Sequence, residues 1–116
     1  MTTTLTEDET WGTLGVVVQL LHRAADQVWA AAGTDARSPL HSLGLGVFLV
    51  AAQVAELLPN GVEITGPDPL EDNPLTLLRE AEQLTRLLTS TSTPAGLSAV
   101  VLAICDLVRE TSDHDF

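Results

Sequence analysis

The sequence predicts an all-α chain: an antiparallel four-helix bundle with one long acidic loop between its second and third helices. Three observations carry that expectation. First, Ser38-Pro39, Asn73-Pro74 and Thr93-Pro94 each stand just before an apolar stretch of helical period. A polar cap followed by proline at the first helical position starts a helix, because the cap side chain takes one orphan N–H and proline has none to leave orphaned. Second, Thr6-Glu7-Asp8-Glu9 fits the capping box and supplies a fourth start. Third, the chain is 45 % apolar over 116 residues, so a single domain spanning 1–116 can bury a core without disulfides or metals. Tyrosine is absent and aromatics are few, so that core is aliphatic.

The first helix is expected over Glu7–Ala32. Trp11, Leu14, Val17, Val18, Leu21, Ala25, Val28 and Ala32 fall at i, i+3, i+4 and i+7 spacings, with Gln19, Arg23, Asp26, Gln27 and Ala30 facing away. Acidic residues 7–9 suit the positive end of the helix dipole, and Gly33 is placed to close the helix in a left-handed conformation. The second helix is expected from Pro39 to Leu58, stopped by Pro59-Asn60-Gly61. Its middle, Leu43 to Ala52, is apolar on all sides, which predicts burial all round. Gly44 and Gly46 each cost about 1 kcal/mol relative to alanine inside a helix, a cost that close approach of a neighbouring helix can offset.

Residues 59–72 form the long connection, made acidic by Glu63, Asp68, Glu71 and Asp72. Loops of this length are often functional, but the alternating ligand positions of a calcium loop are missing. The third helix is expected from Pro74 to Thr89, with Leu77, Leu78, Ala81, Leu84 and Leu88 inward and a supporting Glu82–Arg86 pair outward. The fourth is expected from Pro94 to Glu110, on a stripe of Leu97, Val100, Val101, Ile104 and Val108, with Leu102 and Leu107 off it. Residues 1–5 and 111–116 are expected to be frayed tails.

Charge excludes whole classes of partner. The net charge is −11, there is no lysine, and the five arginines are dispersed among sixteen carboxylates. Nucleic acid and anionic membranes need clustered cations, so neither is expected to bind; a basic protein partner suits this field. The stretch from Ser38 to Ala55 lacks charged residues but is too short and too interrupted to span a bilayer. A single cysteine and no basic leader point to a cytoplasmic chain.

Chemistry-bearing residues are sparse. His22, His41 and His114 share no helical spacing, so no metal site is expected. Cys105 has only Arg109 one turn away in its own helix and reads as a buried structural thiol. Gly44-Leu45-Gly46 has neither the third glycine nor the preceding strand of a nucleotide loop. No catalytic residue and no cofactor are expected.

His41-Ser42-Leu43 opening an apolar helix, followed by Gly61-Val62-Glu63-Ile64 and a later helix, faintly resembles acyl carrier proteins, which are acidic four-helix domains. The resemblance covers about the middle third of the chain and implies a phosphopantetheine-bearing serine at Ser42. It departs from the family where His41 replaces the aspartate and where Pro39, as first helical residue, places Ser42 inside the helix.

Excess apolar surface on the second and fourth helices usually marks an interface, and a two-fold dimer is its commonest use. The sequence therefore predicts a non-enzymatic protein–protein interaction module (an adaptor, accessory subunit or regulator) acting as a homodimer. Its interface residues would be Leu45, Phe48, Leu49, Ala52, Leu102 and Trp29, with Glu63, Asp68, Glu71 and Asp72 as a partner-contact loop. The alternative is an apolar small molecule held between helices by Val47, Phe48, Val50, Val54, Val101 and Ile104.

Overall fold

The computed structural model describes residues 7–58, 69–91 and 96–114. They form four helices: α1 (Glu7–Ala32), α2 (Leu40–Glu56), α3 (Pro74–Thr91) and α4 (Leu97–Ser112). The capping chemistry read from the sequence accounts for the starts of α2 and α3 and the end of α1, though α2 begins one residue after Pro39 and ends at Glu56, short of Leu58. Ser38 Oγ accepts the Leu40 N–H at 3.2 Å, and Asn73 Oδ1 accepts that of Thr76 at 3.1 Å. α1 closes at Gly33, whose φ of 60° is the left-handed conformation expected there. Thr6, Thr93 and Pro94 lie outside the described residues.

α4 starts later than its Thr93-Pro94 signal predicts. Gly96 has φ 90°, ψ −9°, a conformation that interrupts right-handed winding, and its carbonyl accepts the Val100 N–H. The helix therefore begins at Leu97 and runs on to Ser112. Thr111, expected in a frayed tail, is fully buried.

α1 packs against α2 and α3, and α4 packs against the same two; the diagonal pairs make no direct packing among the described residues. Directions follow from which ends meet. The start of α2 lies against the end of α1, where the Trp29 indole N–H donates to the His41 carbonyl. The start of α3 lies there too, since the Arg23 guanidinium meets Asp72 and the Glu71 carbonyl. The end of α4 lies beside the start of α2, with Glu110 next to Leu43 and Leu107 next to Gly46. Every neighbouring pair is thus antiparallel, and α2 and α3 run the same way across the diagonal. The chain leaves α2 at one end of the bundle and enters α3 at the other. Because α2 alone is 17 residues, about 25 Å long, the connection has that length to cover, which is a structural reason for its size.

One core fills the ring, built from Leu14, Leu21, Val28, Val47, Val54, Leu77, Leu78, Leu88, Leu97 and Ile104 among others. Each helix meets two neighbours, so the buried arc is wider than a single stripe. Leu20 and Ala24 of α1 are buried beside the expected positions, and so is Leu107 of α4, which the stripe had left out. Thr85 is buried as well and satisfies its hydroxyl on the Ala81 and Glu82 carbonyls.

Two buried hydroxyls, Thr10 Oγ1 and Thr111 Oγ1, have no hydrogen-bond partner among the described residues. An unpaired buried hydroxyl carries its desolvation cost uncompensated. Thr111→Val keeps the shape and removes that cost, so it should stabilise the chain by about 1 kcal/mol, read as a rise in the urea midpoint at unchanged slope.

Candidate interaction surface

Helix α2 buries Leu43, Gly44, Val47, Val50, Ala51 and Val54, half-buries Leu40, His41, Gly46 and Ala55, and exposes the rest. Its buried side is built on small residues. A Cβ at Gly44 would lie 2.3–2.8 Å from three atoms of the Trp29 indole, so glycine is what lets that ring lie on the helix. Phe48 then tilts against Trp29, with ring centroids 6.0 Å apart, and stacks on His22 at 5.7 Å. Trp29 is half-buried in this α1–α2 contact. Gly46 faces α4, where Leu107 Cδ2 sits at an ordinary 3.5 Å from a built Cβ.

The expected burial of α2 all round is not achieved within one chain. Leu45 is 51 % exposed, Phe48 43 % and Leu49 52 %, and Leu102 on the neighbouring α4 is 67 % exposed. Ala52 is exposed beside them. Val16, Leu70 and Leu87 are exposed too, but on other elements, and isolated apolar residues of that kind are normal. What sets the α2–α4 side apart is that its exposed leucines share adjacent helices. Of the residues expected at an interface, Leu45, Leu49 and Ala52 are exposed on α2 and Leu102 on α4, while Phe48 and Trp29 meet in the α1–α2 contact.

Between the two helices runs an open groove of about 620 Å³. Its floor is apolar, formed by Leu43, Gly46 and Val50 of α2 with Ala103 and Leu107 of α4. Toward the end of α4 its wall becomes acidic with Asp106, Glu110 and Asp113, while Ser42 stands opposite on α2. Ser42 is exposed in the first turn of α2.

The acidic connection is seen in part. Glu63 and Asp68 lie outside the described residues. Asp72 is engaged by Arg23, and Glu71 Oε1 accepts the N–H groups of Asp72 and Asn73 at 3.1 and 3.0 Å. The Asp72 carboxylate and the Glu71 carbonyl tie the entry to α3 to Arg23 of α1, while the Glu71 carboxylate caps the turn just before α3. Of the six residues named for a small-molecule site, Val47, Val54 and Ile104 are fully buried in the core, and Val50 lines the open groove.

A polar cluster links α3 and α4. The Arg86 guanidinium donates to Glu82 at 2.9 Å and to Cys105 Sγ at 3.1 Å, and the Cys105 thiol donates to Glu82 at 3.4 Å. Glu82 first, and then Cys105, raise the Arg86 pKa above its ordinary value. Cys105 is half-buried in this contact, where the sequence reading placed it in an apolar interior. The Glu82–Arg86 spacing was visible in the sequence; which residue of α4 faces it was not. His41 donates from Nε2 to the Asp35 carbonyl at 2.9 Å, and among the described residues no three His, Cys, Asp or Glu side chains gather as a metal-ion site.

No protein-family model, curated protein or solved structure matches the chain. Among the described residues no helix is long and apolar enough to cross a membrane. The chain is an all-helical four-helix bundle, and its surface carries what can be said of its role.

Proposed function

We propose that the chain is a non-enzymatic protein–protein interaction module that associates with a second copy of itself through the outer face of α2 and α4. The observation that carries this reading is the shared exposure of Leu45, Leu49 and Leu102 on adjacent helices. Large apolar side chains exposed on neighbouring helices suit an association surface, and covering them at about 20–33 cal/mol per Å² is the driving force for association.

Association by mass action makes stability depend on concentration. The wild-type Tm should therefore rise on going from micromolar to hundreds of micromolar chain. In Leu49→Glu/Leu102→Glu the Tm should be independent of concentration, because both changes lie on solvent-facing positions of the single chain. A wild-type Tm that does not move with concentration counts against self-association.

A further inference from the structure

We infer that the α2–α4 groove is a docking site for a basic amphipathic helix from a different protein. The inference rests on reading the chain as an interaction module, but not on its self-association.

The groove is two-sided in chemistry. Its floor is apolar and includes two small residues, Gly46 of α2 and Ala103 of α4, with Leu107 packed beside Gly46. A ridge of leucine-sized side chains spaced i, i+3, i+4 on a partner helix would fill that depression, as in other helix-in-groove complexes. The wall on the α4 side is acidic. Asp106, Glu110 and Asp113 follow each other at i, i+4 and i+7, so they stand in one row along the groove. Among the described residues none of the three is in an ion pair; the two pairs present are Arg23–Asp72 and Arg86–Glu82. Three carboxylates in one row lose hydration if an apolar surface closes over them without a cation. A helix with leucines toward the floor and lysines or arginines toward this row relieves that cost.

A second copy of the chain fits the groove poorly. It brings a net charge of −11, no lysine and five dispersed arginines, of which Arg23 and Arg86 already serve ion pairs. Arg79 and Arg86 share a face of α3 at i, i+7, but Arg86 is already held by Glu82, so no helix here presents three unpaired cations to set against Asp106, Glu110 and Asp113. Nor is the acidic character confined to the groove, so long-range attraction would bring a basic partner to any face. It is the apolar floor beside the acidic row that fixes where such a helix stays.

The test is a titration of the full chain with a fluorescent 18-residue helical peptide carrying leucines on one face and lysines on the other. Wild type should bind it, and more weakly at higher salt. Asp106→Asn/Glu110→Gln should weaken binding about tenfold, whereas Asp26→Asn/Glu80→Gln, the same charge change on exposed faces of α1 and α3, should weaken it less than about twofold. Gly46→Leu, filling the floor with all carboxylates intact, should also weaken it at least about tenfold. Gly46 has room for a Cβ, and Tm and far-UV circular dichroism check that the longer side chain leaves the fold intact, with Gly46→Ala as the variant that changes the floor least. Equal losses in the two charge variants, or undiminished binding by Gly46→Leu, would overturn the site. So would equal binding of a peptide with glutamates in place of its lysines. A groove closed to the peptide in wild type but opened by Leu49→Glu/Leu102→Glu would show a second copy in it, again overturning the proposal. Self-association fails in melts without peptide, so the two failures are separable.

Discussion

Replacing Leu21 with alanine should lower the unfolding free energy by about 3–5 kcal/mol, a large share of the 5–15 kcal/mol typical of a domain. Leu21 is fully buried at the centre of α1 and packs within the common core. Its loss removes the transfer free energy of the side chain and leaves a cavity that the rigid neighbouring helices close incompletely. Leu102→Ala removes the same atoms from a side chain that is 67 % exposed, and should change stability by less than about 0.5 kcal/mol in dilute solution. Urea unfolding of both variants at low protein concentration checks the contrast. Comparable losses would mean that Leu102 is covered within the single chain and is not surface offered to a partner.

The second large effect is a change of sign. Gly44→Ala ought to help a helix by about 1 kcal/mol from propensity alone. Here the new methyl meets the Trp29 indole at 2.3–2.8 Å, so the ring has to move. Moving it gives up the bond to the His41 carbonyl and the contact with Phe48, and overpacking of this kind costs about 1–3 kcal/mol. The clash and the lost contacts offset the propensity, and Gly44→Ala should destabilise by up to about 2 kcal/mol net in place of the gain of about 1 kcal/mol. In a Trp29→Ala background the same change should stabilise by about 1 kcal/mol, since nothing remains for the methyl to strike. A double-mutant cycle by chemical unfolding reads this directly. No coupling between the two positions would contradict the packing of Trp29 on α2.

The two glycines show how far a sequence of this kind can be read. That Gly44 and Gly46 need a close neighbour to justify their cost follows from helix propensity. That Trp29 is the neighbour of one and Leu107 of the other depends on the register between helices, which local pattern does not encode. The same limit explains Cys105, whose cationic neighbour Arg86 is 19 positions away in sequence and on another helix. Local signals did well where the physics is local: α1 ends at Gly33 and α3 starts at Pro74 because capping is decided within a few residues. They failed at the start of α4, where a cap-proline pair pointed one way and the left-handed Gly96, three residues before Ala99, reset the helix. The acidic connection was read as a partner surface from its charge and length. Its length also serves to carry the chain between opposite ends of the bundle, and Glu71 and Asp72 serve the entry to α3.

The apolar excess on α2 and α4 is legible as composition, and the structure resolves it into exposed Leu45 and Leu49 on α2, exposed Leu102 on α4, and a groove between the two helices whose acidic row starts at Asp106. The excess follows from hydropathy; the groove depends on which residues of two helices distant in the chain come to line it.

The central claim, association through the α2–α4 face, is tested most directly by light scattering on a sizing column, with wild type and Leu49→Glu/Leu102→Glu run side by side. The chain mass is 12.3 kDa. Wild type should elute at twice that mass and the variant at the mass of one chain. A wild-type peak that stays at the mass of one chain at every concentration loaded would contradict it.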